Sequence, residues 1–273
     1  MEIRSVMVNV DLGNPASTSL HYAIDLARDF GAELIGVGAD QPNMAYLGVD
    51  GGGAAIDFYN AERAAIEEQL ARAEQAFRAA VPSTIKSQWR GYLAQQVQSL
   101  LECASSADII VTPSSTTTTF GETQKVSLGE LVLGAGRPVL NVALPATKQG
   151  FDKIVIGWKD TREARRAVSD ALPFLTRAKE VAAFTVSEGN ASTERESLDN
   201  LAAWLAGHGV KLRMDILKNP DHMDDVLQVT ALEQKADLLV IGAYGHTRMR
   251  EWLFGGVTRS VLGSDALNRL LSN

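Results

Sequence analysis

The chain has 273 residues, of which 45% are hydrophobic and 6% aromatic, and its formal net charge is −7. This length lies between one large and two small domains, because domains usually hold about 100–200 residues. The composition is that of a globular protein with a sizeable core. The negative charge argues against broad binding to the phosphate backbone of nucleic acids or to an anionic membrane surface.

Cys103 is the only cysteine, so the chain forms no intrachain disulfide. It lies in the apolar segment Leu-Leu-Glu-Cys-Ala, where we expect a buried, inert thiol. The first residues lack the charged and apolar regions of a signal peptide, and no apolar run approaches the ~20 residues of a membrane span. We therefore expect a cytoplasmic protein.

The first half of the chain alternates short apolar runs with segments in which apolar residues recur every three or four positions. This pattern predicts strands at residues 5–11, 32–37 and 85–92, and helices at residues 17–30 and 61–80. Residues 42–59, with three consecutive glycines at 51–53, interrupt the alternation. No Gly-Lys-Ser/Thr follows these glycines, so we interpret the segment as a flexible flap and not as a P-loop.

The second half repeats the first. Its pattern predicts strands at residues 153–160, 180–186 and 211–217, and helices at residues 161–175 and 192–207. Each half then contains an Ala-Asp pair followed by an apolar run, at Ala107-Asp108 and at Ala236-Asp237. Strands that alternate with helices at this spacing indicate βαβ units and a parallel sheet. We therefore predict two copies of one small α/β domain, residues 1–148 and residues 149–273.

A glycine pattern follows the last strand predicted in the second half. In the run Leu-Leu-Val-Ile-Gly-Ala-Tyr-Gly, Gly242 follows four apolar residues and Gly245 is the last residue. Gly255 follows ten residues after Gly245. Ligands of open parallel sheets bind where strands end, and glycine lets the backbone come close to them. The pattern indicates a loop and a helix N-terminus that cradle an anion, most plausibly a nucleotide phosphate. The first half has a Ser/Thr run at residues 114–119 instead, which cannot wrap phosphates in the same way.

With this glycine pattern and the repeat, the chain resembles the universal stress protein family in its tandem form. Nucleotide-binding members carry Gly-x-x-Gly, nine residues, and then Gly-Ser/Thr; here Gly242 and Gly245 precede nine residues and Gly255. The resemblance implies an α/β fold of two tandem Rossmann-like domains, each with a doubly wound, mostly parallel sheet, in a pseudo-two-fold arrangement. It covers essentially the whole chain, and residues 133–140 look like the last helix-to-strand passage of the first domain.

The chain departs from the family pattern at three places. Gly256 stands where the family has Ser or Thr, and Lys159 stands where the family has the acid that lies beside the adenine. Asp160, the next residue, either substitutes for that acid or caps the following helix. The family ends in a strand that often lies at the domain-pairing interface, whereas residues 263–273 read as a weak strand or a helical tail.

The resemblance implies roles for the loop residues. Gly242 and Gly245 would pass close to ribose and phosphates, and the N–H groups of residues 256–258 would point toward the phosphates. His246 and Arg248, between the glycines, either add charge-assisted contacts to the nucleotide or lie in an exposed, mobile loop. The apolar side chains of Val186 and Ile241, at the ends of two strands, form either a slot for the adenine ring or an ordinary part of the sheet core. The predicted site therefore comprises Asp160, Val186, Ile241, Gly242, Gly245, His246, Arg248, Gly255, Gly256, Val257 and Thr258.

The sequence is compatible with three functions. The first is a cytoplasmic stress-response protein that binds ATP, ADP or AMP, with or without Mg²⁺, through its second domain. The second is a nucleotide-free interaction or dimerisation module, with self-paired domains or a homodimer. The third is an enzyme, limited to slow ATP hydrolysis or autophosphorylation, because no general base and no set of metal ligands is visible. The acidic run at residues 221–225 is better explained as a helix start than as a metal site.

Overall fold

The computed structural model describes residues 2–42, 53–114, 126–143, 150–187, 191–218, 226–243 and 267–273. Contacts within the chain divide it into two compact units. The N-unit comprises Arg4–Thr112 and Thr117–Ala135, and the C-unit comprises Met1–Ile3, Pro113–Thr116 and Gly136–Asn273. The expected domain boundary after residue 148 stays a prediction, because residues 144–149 lie outside the described part of the chain.

The N-unit alternates strands and helices around a parallel sheet. Its elements are β1 Ser5–Asn9, α1 Thr18–Phe30, β2 Glu33–Asp40, α2 Gly53–Ala80, β3 Ser87–Leu93, α3 Gln96–Cys103, β4 Ile109–Pro113 and α4 Leu128–Ala135. The strand order is β3-β2-β1-β4, and every paired neighbour is parallel. Strands β1 and β4 are buried almost throughout, as expected for a sheet with helices on both faces.

The C-unit repeats this order and adds two strands. Its elements are β5 Val139–Val142, β6 Lys153–Gly157, α5 Arg162–Leu175, β7 Glu180–Val186, α6 Ala191–Gly207, β8 Leu212–Leu217, α7 Val226–Glu233, β9 Leu238–Gly242 and β10 Asn268–Ser272. The strand order is β5-β10-β9-β6-β7-β8. Only the β5–β10 pair is antiparallel among the pairs described in this unit. The predicted class, α/β with doubly wound, mostly parallel sheets, is confirmed.

The flap predicted at residues 42–59 is partly wrong. Helix α2 begins at Gly53 and not near residue 61, so residues 53–59 are helical. The physical reason lies in the sequence Ala-Ala-Ile that follows Gly53, because alanine is the best helix former and extends the amphipathic segment backward. Residues 43–52 lie outside the described residues.

An aspartate side chain holds β1 in the N-unit and β6 in the C-unit. The Asp108 carboxylate accepts hydrogen bonds from the backbone N–H of Arg4 at 2.8 Å and of Ser5 at 3.0 Å, and from the Ser5 hydroxyl at 3.0 Å. In the C-unit, the Asp237 carboxylate accepts from the N–H of Lys153 at 2.9 Å. The aspartates of the two Ala-Asp pairs therefore help to set the register of β1 against β4 and of β6 against β9. We call the contacts of Asp108 with Arg4 and Ser5, and of Asp237 with Lys153, the aspartate clamp.

The C-terminal segment is a strand, and the alternative of a helical tail is wrong. All five residues of β10 are buried between β9 and β5. The side chain of Asn268 joins both neighbours, because its amide donates to the Asp237 carbonyl at 3.3 Å and its oxygen accepts from the N–H of Ala143 at 3.0 Å. β10 pairs with β9 along all five of its residues and with β5 at Arg269, Leu270 and Leu271, so its backbone groups find partners on both sides.

The expected burial of the single cysteine is confirmed. Cys103 is 1% exposed at the end of α3, and its sulfur lies 3.1 Å from the hydroxyl of Tyr92 on β3. This hydrogen bond and burial raise the pKa of the Tyr92 phenol above its ordinary value. Among the described residues, no helix is both long enough and apolar enough to cross a membrane.

Removal of the clamp in the N-unit should destabilise the fold. We expect Asp108→Ala to lower the free energy of unfolding by about 1–3 kcal/mol, because two backbone N–H groups and one hydroxyl lose their acceptor. Asp108→Asn, which keeps one acceptor oxygen, should lose less. Urea unfolding followed by circular dichroism measures both variants.

The matched control for this clamp is Glu67→Ala. Glu67 forms an ion pair with Arg63 on α2, and both side chains are 53% exposed. Its loss should change stability by no more than about 0.5 kcal/mol. Equal losses in Asp108→Ala and Glu67→Ala would show that the clamp contributes nothing specific.

Candidate functional site

The C-unit has a switch point between β6 and β9. From β6 the chain leaves through α5 to β7 on one side, and it returns through α7 to β9 on the other side. The two strands are parallel neighbours, and Gly157 at the end of β6 pairs with Ile241 near the end of β9. Open α/β sheets bind ligands in the crevice outside the carboxyl ends of strands at such a point. The predicted glycine loop starts directly at this crevice.

The structure brings Val186 and Ile241 to one face of the sheet at this end. Gly157 pairs with Phe184 on one side and with Ile241 on the other, so these residues share a face. Val186 lies two residues beyond Phe184 and has the same orientation. The Leu227 side chain of α7 lies on this face too, 3.1 Å from where a Cβ on Gly157 would stand. The two predicted residues thus flank a strand end that carries no side chain.

Gly242 faces the opposite side, where it lies against the first turn of α5. A Cβ at this position would stand 2.5 Å from the carbonyl carbon of Glu163 and would overlap the backbone nitrogen of Ala164. The colliding atoms belong to the backbone of a helix, so no side-chain rotation relieves the overlap. Close packing of helix on strand therefore accounts for this glycine, whereas its predicted contact with a ligand stays a prediction.

Asp160 does not cap α5, and that alternative is wrong. Thr161 holds the cap position with extended backbone angles, and its hydroxyl accepts from the N–H of Ala164 at 3.2 Å. Asp160 lies one residue earlier and forms an ion pair with Arg165 at 3.3 Å. Its side chain is 51% exposed and lines a cleft on the α5 side of the sheet, apart from Val186 and Ile241.

The rest of the predicted site falls outside the described residues, which resume only at residue 267 after residue 243. The acidic run at residues 221–225 lies outside them as well. The predicted nucleotide-site residues in this undescribed segment are Gly245, His246, Arg248, Gly255, Gly256, Val257 and Thr258.

A cleft of about 360 Å³ lies between α5 and α6. Sequence reasoning did not anticipate it. Its apolar lining comes from Trp158, Val168, Leu201 and Trp204. Its polar lining comes from Asp160, Arg165, Ser197 and Asn200. This volume is within the range of small-molecule sites, and the mixture of aromatic and polar groups is typical of them.

Trp158 is held firmly at the floor of this cleft. Its backbone N–H donates to the carbonyl of Phe184 at 2.8 Å, and its carbonyl accepts from the Thr185 hydroxyl at 3.0 Å. Its indole N–H donates to the Ser197 hydroxyl on α6 at 2.9 Å. The sequence signal was a tryptophan directly after a buried strand, a place where an aromatic ring with a hydrogen-bonding end can face a ligand.

Comparison with known proteins supports the fold. By sequence alone, no family profile and no curated protein matches the chain. A universal stress protein from Archaeoglobus fulgidus is similar in structure, with a TM-score of 0.68 at 18% identity over 98% of this chain and 96% of that one. A Pseudomonas aeruginosa protein proposed to be a universal stress protein has a TM-score of 0.58 at 17% identity, over 99% and 93% of the two chains.

A third similar structure comes from another kind of protein. The cytoplasmic domain of a prokaryotic cation chloride cotransporter has a TM-score of 0.52 at 11% identity, over 99% of this chain and 95% of that one. Identities this low establish the fold and no more. The expected resemblance to tandem universal stress proteins is therefore confirmed at the level of the fold, and it spans both halves of the chain.

The tight contact at Gly242 predicts a strong effect of a single methyl group. We expect Gly242→Ala to lower the free energy of unfolding by about 1–3 kcal/mol, because the added carbon must push α5 away from β9. Urea unfolding measures this loss.

Gly207→Ala is the matched control for that substitution. Gly207 ends α6, and nothing lies within 4 Å of where its Cβ would stand. Alanine there should be neutral or stabilise the protein by up to about 1 kcal/mol. If Gly242→Ala proved as neutral as the control, the close packing of β9 on α5 would be refuted.

Proposed function

We propose that the chain is a cytoplasmic universal stress protein that binds ATP, ADP or AMP through its second domain, residues 149–273, without strong catalysis. The observation that carries this proposal is the switch point between β6 and β9, with Gly157 and Ile241 paired at the carboxyl ends of the strands. The predicted phosphate loop, residues 242–258, starts from the second of these strands.

The described residues fit an adenine ring at this place. Val186 and Ile241 offer apolar surface on either side of β6, and the Leu227 side chain of α7 lies over Gly157 on the same face. A flat, apolar ring suits such a slot, while backbone N–H groups of the following loop would bind phosphates without any need for net positive charge. The overall charge of −7 is compatible with that mode of binding.

Isothermal titration calorimetry of the whole chain tests the proposal. We expect saturable binding of at least one of ATP, ADP and AMP in the presence of Mg²⁺. Val186→Phe should weaken binding by about tenfold, because the larger ring fills the slot. The matched control is Leu217→Phe, which adds a similar ring at the position paired with Val186, one strand farther from the switch point. A folded protein that gives no heat with any of the three nucleotides would refute the proposal.

The glycine loop calls for its own variant. Gly245→Val should abolish binding, because a β-branched side chain there would obstruct the approach of the backbone to the phosphates. Gly150→Val serves as the control, since nothing lies within 4 Å of where the Cβ of Gly150 would stand. Equal nucleotide affinity in both variants would remove the loop from the site.

A second candidate is the nucleotide-free interaction or dimerisation module. The observation that favours it is the placement of Asp160, which pairs with Arg165 on the α5 side of the sheet, apart from Val186 and Ile241. The similar cytoplasmic domain of a cotransporter shows that this fold also occurs in proteins of another kind. Mass spectrometry of the denatured, freshly purified protein decides between the two. A released adenine nucleotide supports the first candidate. A ligand-free chain that light scattering of the native protein shows to be a dimer supports the second.

A further inference from the structure

We propose that the cleft between α5 and α6 is a binding site for a small aromatic compound that carries both an ammonium and a carboxylate group, the chemistry of a free aromatic amino acid. This cleft lies on the α5 side of the sheet, and the proposed nucleotide site lies on the α7 side. The inference therefore stands independently of the proposed function.

The apolar part of the cleft is preformed. Trp158, Val168 and Leu201 form its floor and are 6%, 2% and 4% exposed, so these side chains are held by the surrounding core. The hydrogen bond from the Trp158 indole to Ser197 fixes the plane of that ring. A rigid apolar floor of this kind binds a flat ring with little loss of conformational freedom.

The wall of the cleft contains an aromatic side chain in an unusual place. Trp204 is 43% exposed on α6, and its ring lies 4.4 Å from the imidazole of His208. Exposure of the apolar tryptophan ring to water is energetically unfavourable, and exposed tryptophans are enriched at binding sites. The contact with His208 restrains the indole at the wall of the cleft, where a second ring can stack on it.

The polar lining supplies one charge of each sign. Asp160 and Arg165 face each other at 3.3 Å, and their side chains are 51% and 63% exposed. An ion pair so exposed contributes little to stability, so a ligand separates it at small cost. A ligand with one charge would satisfy one partner and strand the other. A ligand with an ammonium and a carboxylate satisfies both.

The position of the two charges agrees with the local backbone. Arg165 lies in the first turn of α5, where the helix dipole also favours a carboxylate. Asp160 precedes the helix, and its carboxylate, which pairs with Arg165, is the group that can accept an ammonium. Asn200 on α6 adds an amide, which both donates and accepts hydrogen bonds.

The same features disfavour other occupants. A nucleotide would bring several negative charges next to the Asp160 carboxylate, which costs electrostatic energy. A volume of about 360 Å³ holds one aromatic side chain with its head group, and it is too small for a helix of a partner protein.

Calorimetry and ligand-observed NMR with L-tryptophan test the site, since L-tryptophan has the required ring and both charges. We expect saturable binding with one site per chain. Tryptamine, which lacks the carboxylate, and indole-3-propionate, which lacks the ammonium, should each bind at least about tenfold more weakly, because each leaves one charge of the pair unsatisfied.

Variants locate the binding site. Trp204→Ala and Arg165→Ala alter exposed side chains, so the protein should stay folded by circular dichroism, and each should weaken L-tryptophan binding by at least about tenfold. Arg195→Ala is the control, because Arg195 lies on α6 in an exposed ion pair with Asp199 at 3.5 Å and does not line the cleft. Its affinity for L-tryptophan should be unchanged.

Three outcomes would overturn the inference. One is the absence of saturable L-tryptophan binding to the folded chain. Another is a loss of ATP binding in Trp204→Ala, which would assign the cleft to the nucleotide. The last is a dimer in light scattering that Trp204→Ala converts to monomer, which would show that a second copy covers the cleft. Failure of the nucleotide titrations alone would leave the inference intact.

Discussion

The carboxylates of Asp108 and Asp237 set the register of the central strand pair in each unit, and the rest of the structure depends on that register. A slip of one residue would move every side chain of a strand to the other face of the sheet. In the C-unit, Ile241 would then turn toward α5, and Gly242 would no longer lie where the helix backbone needs a residue without a Cβ. The crevice between β6 and β9 and the packing of α5 therefore both depend on a register to which the Asp237 carboxylate contributes.

The sequence predicted the strands well because buried parallel strands are continuous apolar runs, as in β6 and β9. It showed the repeated Ala-Asp phrase but not its role, since Asp108 bonds to a residue 103 positions away. Asp160 and Thr161 are both good cap residues, and only the backbone geometry distinguishes them. The cleft could not be predicted, because it forms only when Trp158 and Trp204 come together from different elements.

The first turn of α5 lies between the crevice at the switch point and the cleft beside α6. Ala164 contacts the end of β9 on one side, where the crevice opens, and Arg165 lines the cleft beside α6. The contact between Gly242 and Ala164 is backbone against backbone, and packed backbones do not deform gradually. The position of α5 is thus fixed by the strand end from which the predicted glycine loop would start. This arrangement explains why a single helix start carries a cap, an ion pair and a tight glycine contact within a few residues.

Strand β10 also constrains how the chain reaches its native state. Its Asn268 bonds to Ala143, 125 positions earlier in the chain, so this contact closes a very long loop. Such contacts lose much chain entropy before they gain stabilising energy, and they form late in folding. Until β10 arrives, the edges of β9 and β5 are open to strands of other molecules. We therefore expect intermolecular pairing at these edges to compete with closure by β10 as the protein concentration rises.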